Sequence, residues 1–276
     1  LTTDSMQPSQ PIGIFDSGVG GLTVANAIRQ ILPDEQMIYF GDTFHLPYGD
    51  KSADSVKFYS TRISEYLLSL NCKLILIACN TASALAWEAV SETVRGKALA
   101  MNVIDPVIDE VAGNTKIKRI GVIGTKGTIN SGTYKLKLIQ KNNRLDVRSL
   151  ATPLLVPMIE EGFIFDDISN AIIRNYLSRE ELQGIDTLIL GCTHYPIIKQ
   201  QIARFFDFRV QIVDSAVIVA KRLRKLLREN NLLNKDSENP VHQFLVSDYT
   251  EYFEIIARMF FEGDIRLQKI DLWSHS

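Results

Sequence analysis

Leu74-Ile75-Leu76-Ile77-Ala78-Cys79-Asn80-Thr81 and Leu188-Ile189-Leu190-Gly191-Cys192-Thr193-His194 are two apolar runs that each give way, at a cysteine, to small polar residues. Runs this short and this apolar read as buried parallel strands, not surface helices. The carboxyl end of such a strand is where open α/β sheets place their chemistry. Two thiols presented in this matched way suit a reaction that needs two equivalent acid/base groups, one on either side of a substrate. A thiolate near a helix N-terminus is expected below its free pKa of about 8.5, and the adjacent N–H groups with Asn80, Thr81 and Thr193 offer an anchor for a carboxylate. Cys72 lacks that setting and reads as a small core residue.

His194 stands two residues beyond Cys192, a natural neighbour to poise that thiol. Taken alone the pair would also fit a cysteine hydrolase or two metal ligands. The first reading leaves Cys79 idle, and the second finds no Cys-x-x-Cys or His-Glu-x-x-His spacing in the chain. Asp16 opens the stretch Asp16-Ser17-Gly18-Val19-Gly20-Gly21, between a strand candidate and a helix beginning near Leu22. These glycines either let the backbone approach an anion at the helix N-terminus or make a tight turn. They are not a dinucleotide fingerprint, because Thr23 stands where a third glycine should, and no Lys-Ser/Thr pair makes a phosphate loop. Glu160 follows an apolar loop and either approaches the site or is a solvated helix-start carboxylate. His45, His242 and His275 read as ordinary surface or loop residues. No fingerprint for pyridoxal phosphate, a nucleotide or a metal is present, so none of these cofactors is expected.

The elements that must hold these residues recur along the chain. Ile12 to Gly18 resembles Ile120 to Lys126, Met37 to Thr43 sits against Asp146 to Thr152, Cys79 against Cys192, and Val103 to Asp105 against Ile212 to Asp214, each pair about 110 residues apart. Four strand candidates in one order at a near-constant offset point to two homologous halves. Between them lie amphipathic helices, Val56 to Leu70 before Cys79 and Ile168 to Leu177 before Cys192. The alternation implies an α/β fold with parallel sheets and helices on both faces. A helix from about Ala216 to Glu229 exposes a basic face, Asn230 to Pro240 is a polar loop, Gln243 to Val246 a last short strand, and Tyr249 to Phe261 a terminal amphipathic helix.

The 276 residues suffice for two domains with their own cores. A net charge of −2, a pI near 6.1 and a mean hydropathy of +0.02 carry no basic footprint for nucleic acid. No apolar stretch approaches the roughly 20 residues that span a bilayer, so no membrane partner is expected. Residues 1–10 are polar, lack the basic and apolar regions of a signal peptide, and read as a disordered tail. Three cysteines make no disulfide framework, which favours a reducing compartment, the cytoplasm.

With these residues assembled the sequence resembles the glutamate racemases of the aspartate/glutamate racemase superfamily. The motifs are Phe15-Asp16-Ser17-Gly18-Val19-Gly20-Gly21, Pro47-Tyr48-Gly49, Ala78-Cys79-Asn80-Thr81-Ala82, Gly124-Thr125 with Thr128, Pro157-Met158-Ile159-Glu160 and Gly191-Cys192-Thr193-His194-Tyr195-Pro196. They run in family order from about Ile12 to Asp214; Phe44-His45-Leu46 and the ten leading residues lie outside the pattern. The resemblance implies two pseudo-symmetric, doubly wound domains with mainly parallel sheets and the active site in the cleft between them. It divides the chain into residues 11–100 plus 211–267 and residues 101–210. It implies cofactor-independent racemisation of L- and D-glutamate, a small-molecule substrate, that supplies D-glutamate for peptidoglycan; it leaves a homodimer open. Cys79 matches the group that removes the α-proton of D-glutamate and Cys192 the one that removes that of L-glutamate. Asp16 and His194 match auxiliary catalytic groups that also meet the substrate, and Glu160 matches a further catalytic carboxylate. Ser17, Pro47, Tyr48, Gly49, Asn80, Thr81, Thr125, Thr128 and Thr193 match substrate-binding positions. Two alternatives stay open: a racemase or isomerase of the same superfamily acting on aspartate or a related acid, and a two-lobed amino-acid binding module without catalysis.

Overall fold

In the computed structural model residues 6–235 and 240–274 are described. The apolar runs form the strands the pattern predicts. One sheet contains β1 (Ile12–Asp16), β2 (Met37–Gly41), β3 (Leu74–Ile77) and β4 (Leu99–Asn102). A second contains β5 (Arg119–Gly124), β6 (Asp146–Ala151), β7 (Thr187–Gly191) and β8 (Gln211–Val213). The chain then returns to the first sheet with β9 (Gln243–Val246) and β10 (Leu267–Lys269). The sheet orders are β10-β9-β2-β1-β3-β4 and β6-β5-β7-β8, and every pairing is parallel. Leaving out β9 and β10, both sheets follow the order second, first, third, fourth. The sequence repeat is thus a repeat of topology.

β1, β2, β3 and β7 are buried along their whole length, which is why they read as unbroken apolar runs. Helices cover both faces. Ser215–Glu229 buries Ala216, Val219, Ala220, Leu223 and Leu227 against the helix Leu22–Ile31 and leaves Lys221, Arg222, Arg224, Lys225 and Arg228 in solvent. No described helix is long and apolar enough to cross a membrane.

Several boundaries differ from expectation. Val103 to Asp105 is not a strand: β4 stops at Asn102, whose Oδ1 accepts the N–H of Ile104 and of Asp105 at 2.9 Å each and starts the helix Ile104–Ala112. Pro106 sits in that helix's first turn, where its missing N–H costs nothing. β4 therefore lies in the first sheet and β8 in the second, so the chain passes between sheets after Asn102 and again after Val213, a few residues beyond the expected divisions. Residues 6–10 are not part of a disordered tail. Gln10 N–H closes a turn on Gln7 O, and the buried Lys73 ammonium, paired with Glu35, donates to the Pro8 carbonyl. A buried ammonium must find acceptors, and here it holds the chain in place. Residues 1–5, His275 and residues 236–239 of the polar loop lie outside the described residues.

Candidate active site

Cys79 sits just past β3 and serves as the N-cap of the helix Asn80–Leu85, its Sγ accepting the Ala82 N–H at 3.4 Å. Its S–H donates to Ser17 Oγ at 3.7 Å. The expected depression of this thiol's pKa does not hold. Burial pushes it up to about 12, and the nearby Asp16 charge adds to the rise, against which the Ala82 N–H and Ser17 hydroxyl act weakly. Cys79 is therefore a thiol in this state. Asp16 ends β1, is 1 % exposed, and accepts the Gly18 N–H at 2.9 Å. Burial raises its carboxyl pKa, while the charge of His194 opposes the rise.

Cys192 sits just past β7 with its Sγ 3.8 Å from His194 Nδ1. The other ring nitrogen, Nε2, lies 2.9 Å from Glu160 Oε1. Glu160 is the last residue of a short helix, Leu155–Glu160, where the sequence suggests a loop, and Tyr252 OH donates to its carbonyl. Burial opposes the charge on His194, but the hydrogen bonds to Cys192 and Glu160 and the charges on both outweigh it, and the imidazole pKa rises from 6.5 to about 10. A charged imidazole thus bridges Cys192 Sγ and Glu160 Oε1. A pKa raised on folding contributes stability that is complete below about pH 6.5 and is lost as pH rises through about 10. Melting temperature measured from pH 6 to 10.5 should fall more steeply for the wild type than for His194→Asn. Parallel curves would show that His194 is not held charged.

Both thiols open on one cavity of about 270 Å3. Ser17, Cys79, Asn80 and Thr81 line it from the first half, as does the loop of Pro47, Tyr48 and Gly49. Thr125, Glu160, Cys192, Thr193 and His194 line it from the second. The other two expected residues stand behind this surface. Asp16 accepts from Thr193 Oγ1 at 3.4 Å, and Thr128 Oγ1 lies 3.1 Å from the hydroxyls of both Thr81 and Thr125. Thr81 and Thr125 are themselves 2.8 Å apart, so three hydroxyls from both halves meet beside the cavity.

Glycines let the halves approach this closely. A Cβ on Gly20 would stand 2.3 Å from His194 Cε1 and 2.7 Å from Thr193 Oγ1, and one on Gly49 would stand 2.7 Å from Thr125 Cβ. The Asp16 to Gly21 stretch therefore makes room for a histidine, and the direct contact it offers is to protein, whatever ion the turn could also accept.

Sequence reasoning passed over several groups here. Asp42 is wholly buried and accepts from Tyr48 OH at 2.7 Å, Ser247 Oγ at 2.7 Å and Trp273 Nε1 at 3.0 Å, fixing the Pro47 to Gly49 loop from behind. His45 is no ordinary loop residue: its Nδ1 lies 2.8 Å from Asp42 Oδ2 and its ring stacks on Tyr59 at 3.8 Å between centroids. His242 accepts the Met37 N–H at the amino end of β2, away from the cavity. At the cavity rim Lys126 Nζ pairs with Asp50 Oδ1 at 3.1 Å, an exposed ion pair joining the halves. Cys72 is a core residue whose pKa burial pushes up to about 12. Among the described residues no group of three or more His, Cys, Asp or Glu is placed to hold a metal ion.

A pair of like-wound parallel sheets, each followed at one strand end by a thiol on a shared cavity, defines the class: an α/β protein with its site between two related halves. The chain belongs to the Asp/Glu/hydantoin racemase family, whose model matches residues 22–223. It is 41 % identical over 260 residues to the glutamate racemase of Chlorobaculum parvum, covering 94 % of this chain and 95 % of that one. It is 42 % identical to that of Geobacter metallireducens, again over 94 % and 95 %. Among solved structures, the glutamate racemase of Francisella tularensis in complex with D-glutamate superposes with a TM-score of 0.91 at 39 % identity, covering 97 % of this chain and 100 % of that one.

Proposed function

We propose that this chain is a glutamate racemase that interconverts L- and D-glutamate with two cysteine acid/base groups and no cofactor. The observation that carries the reading is the cavity that receives Cys79 from the end of β3 and Cys192 from the end of β7. Relatives of this identity and coverage support glutamate as the substrate. D-glutamate supply for peptidoglycan in the cytoplasm, and assembly as a homodimer, belong to the same proposal. So does a division into two α/β domains that close on the substrate.

Racemisation of free enantiomers has an equilibrium constant of one, so the problem is wholly kinetic. From L-glutamate, the Cys192 thiolate takes the α-proton; the C–H bond breaks, an S–H bond forms, and the electron pair delocalises from Cα into the α-carboxylate. Asn80, Thr81 and Thr193 with the backbone N–H groups face that developing charge, and a preorganised donor of this kind contributes about 3 to 4 kcal/mol. The Cys79 thiol then delivers its proton to the opposite face of Cα. The high pKa of Cys79 suits this donor role, and the imidazolium of His194 suits a thiolate at Cys192. In the D-to-L direction the roles exchange, and Asp16 and His194 act as partners of Cys79 and Cys192. Glu160 holds the His194 ring through Nε2.

A pocket distinguishes glutamate from aspartate by roughly 1 to 3 kcal/mol through packing of one methylene, and by more when buried polar groups await a distal carboxylate that cannot reach them. Polarimetry on L- and D-glutamate and on both enantiomers of aspartate is expected to give kcat/KM at least about a hundredfold higher for glutamate. Comparable turnover of aspartate would move the substrate assignment and leave the two-thiol mechanism standing. Tight binding of glutamate without loss of optical rotation would make the protein a binding module and end the proposal.

A further inference from the structure

The helix Thr133–Lys141 follows β5 in the second half of the chain, yet its Tyr134 hydroxyl donates to Asn80 Oδ1 at 2.7 Å, in the first half. Both side chains are buried, at 2 % and 3 % exposure. The same ring passes Gly191, where an added Cβ would lie 3.4 Å from Tyr134 Cε2. Tyr134 therefore bonds to the residue that follows Cys79 and lies beside the residue that precedes Cys192.

The far end of the Asn80 amide gives this contact its meaning. Nδ2 is buried and has no hydrogen-bond partner among the described residues, and Asn80 lines the cavity. An amide can present either an acceptor or two donors to the cavity, and its own geometry does not choose. A phenol carries one proton. Donating it to Oδ1 satisfies both groups, whereas accepting from Nδ2 would leave that proton without a described acceptor and would turn a carbonyl oxygen toward the cavity. Burial, with the charges of Cys192 and Asp105, raises the Tyr134 pKa, so the proton stays on the phenol as charge moves between the thiols.

We infer that Tyr134 is a positioning residue: by donating to Asn80 Oδ1 it locks the amide with its NH2 group facing the cavity, as the donor to a substrate carboxylate oxygen. The inference rests on the reading of Asn80 as a substrate-binding residue. Since the bond joins the two halves, this donor is aimed only while they are held together.

The test is a double-mutant cycle of Tyr134→Phe and Asn80→Ala, read as the apparent Kd for DL-glutamate by titration calorimetry and as kcat/KM for each enantiomer. The racemic probe allows variants without turnover to be measured. Tyr134→Phe keeps the ring and removes one hydroxyl; it is expected to weaken binding about tenfold, the effect of one lost hydrogen bond. It is expected to cause no further loss in the Asn80→Ala background, although Asn80→Ala alone also weakens binding. A merely structural tyrosine would give additive losses, which would overturn the inference. Wild-type affinity in Tyr134→Phe with weak binding in Asn80→Ala would overturn it while leaving Asn80 as a substrate donor. Wild-type affinity in Asn80→Ala would overturn both.

Discussion

Replacing either Cys79 or Cys192 with serine is expected to lower kcat about a thousandfold or more in both directions, the scale of a lost general acid or base. Each thiol has a half-reaction in which it must carry negative charge. A serine hydroxyl is far too basic to be populated as alkoxide in a cavity where burial already holds the Cys79 thiol at about 12. Because the equilibrium constant is one, kcat/KM must fall by the same factor for both enantiomers. Cys72→Ser changes a core residue that does not line this cavity, so it should alter melting temperature and leave turnover intact. Any stereospecific assay of product reads this contrast. Near-normal turnover in either Cys79→Ser or Cys192→Ser would remove that thiol from the mechanism.

Gly20→Ala is expected to be the most damaging change outside the thiols. Its Cβ would stand 2.3 Å from His194 Cε1 and 2.4 Å from Nδ1. The ring cannot simply swing away, since it is buried, packed edge-on against Phe260 at 5.2 Å and held by Glu160. A shift of about 1 Å in a reacting group's partner is enough for about a hundredfold loss of rate. Steady-state kinetics should therefore show kcat lowered about a hundredfold, with circular dichroism of the folded protein retained. Wild-type kcat in Gly20→Ala would mean that the place of His194 beside Cys192 does not matter.

What the sequence made legible and what it did not divide along one physical line. Buried parallel strands carry their signal locally, so β3 and β7, the cysteines at their ends and the recurrence of strand order could all be read from the chain. Gln243–Val246 was legible for the same reason. The end of β4 was not, because Asn102 stops it by a side-chain cap that competes with an apolar Val103-Ile104 continuation. β10 is three residues long with two of them exposed, too little pattern to recognise. The site was legible where residues adjoin the cysteines or form part of a recurring motif. Its supports come from contacts between halves distant in sequence: Thr193 to Asp16 spans 177 residues, and Trp273 to Asp42 spans 231. Tyr134 and Asp42 look like any aromatic or acidic residue until the fold brings Asn80 and Tyr48 to them. The high pKa of Cys79 is not legible because position at a helix N-terminus is visible in sequence, whereas burial beside Asp16 is not.

The central claim is that two thiols work on opposite faces of Cα, and hydrogen exchange tests it most directly. L-glutamate is incubated with the protein in deuterated water, and the two enantiomers are separated early in the reaction and analysed for α-deuterium. With one base per face, the D-glutamate formed carries solvent deuterium while the recovered L-glutamate stays largely protiated, and the reverse reaction from D-glutamate behaves in the same way. Deuterium appearing in unreacted substrate as fast as product forms would contradict the account, pointing to a single base that exchanges its proton with solvent.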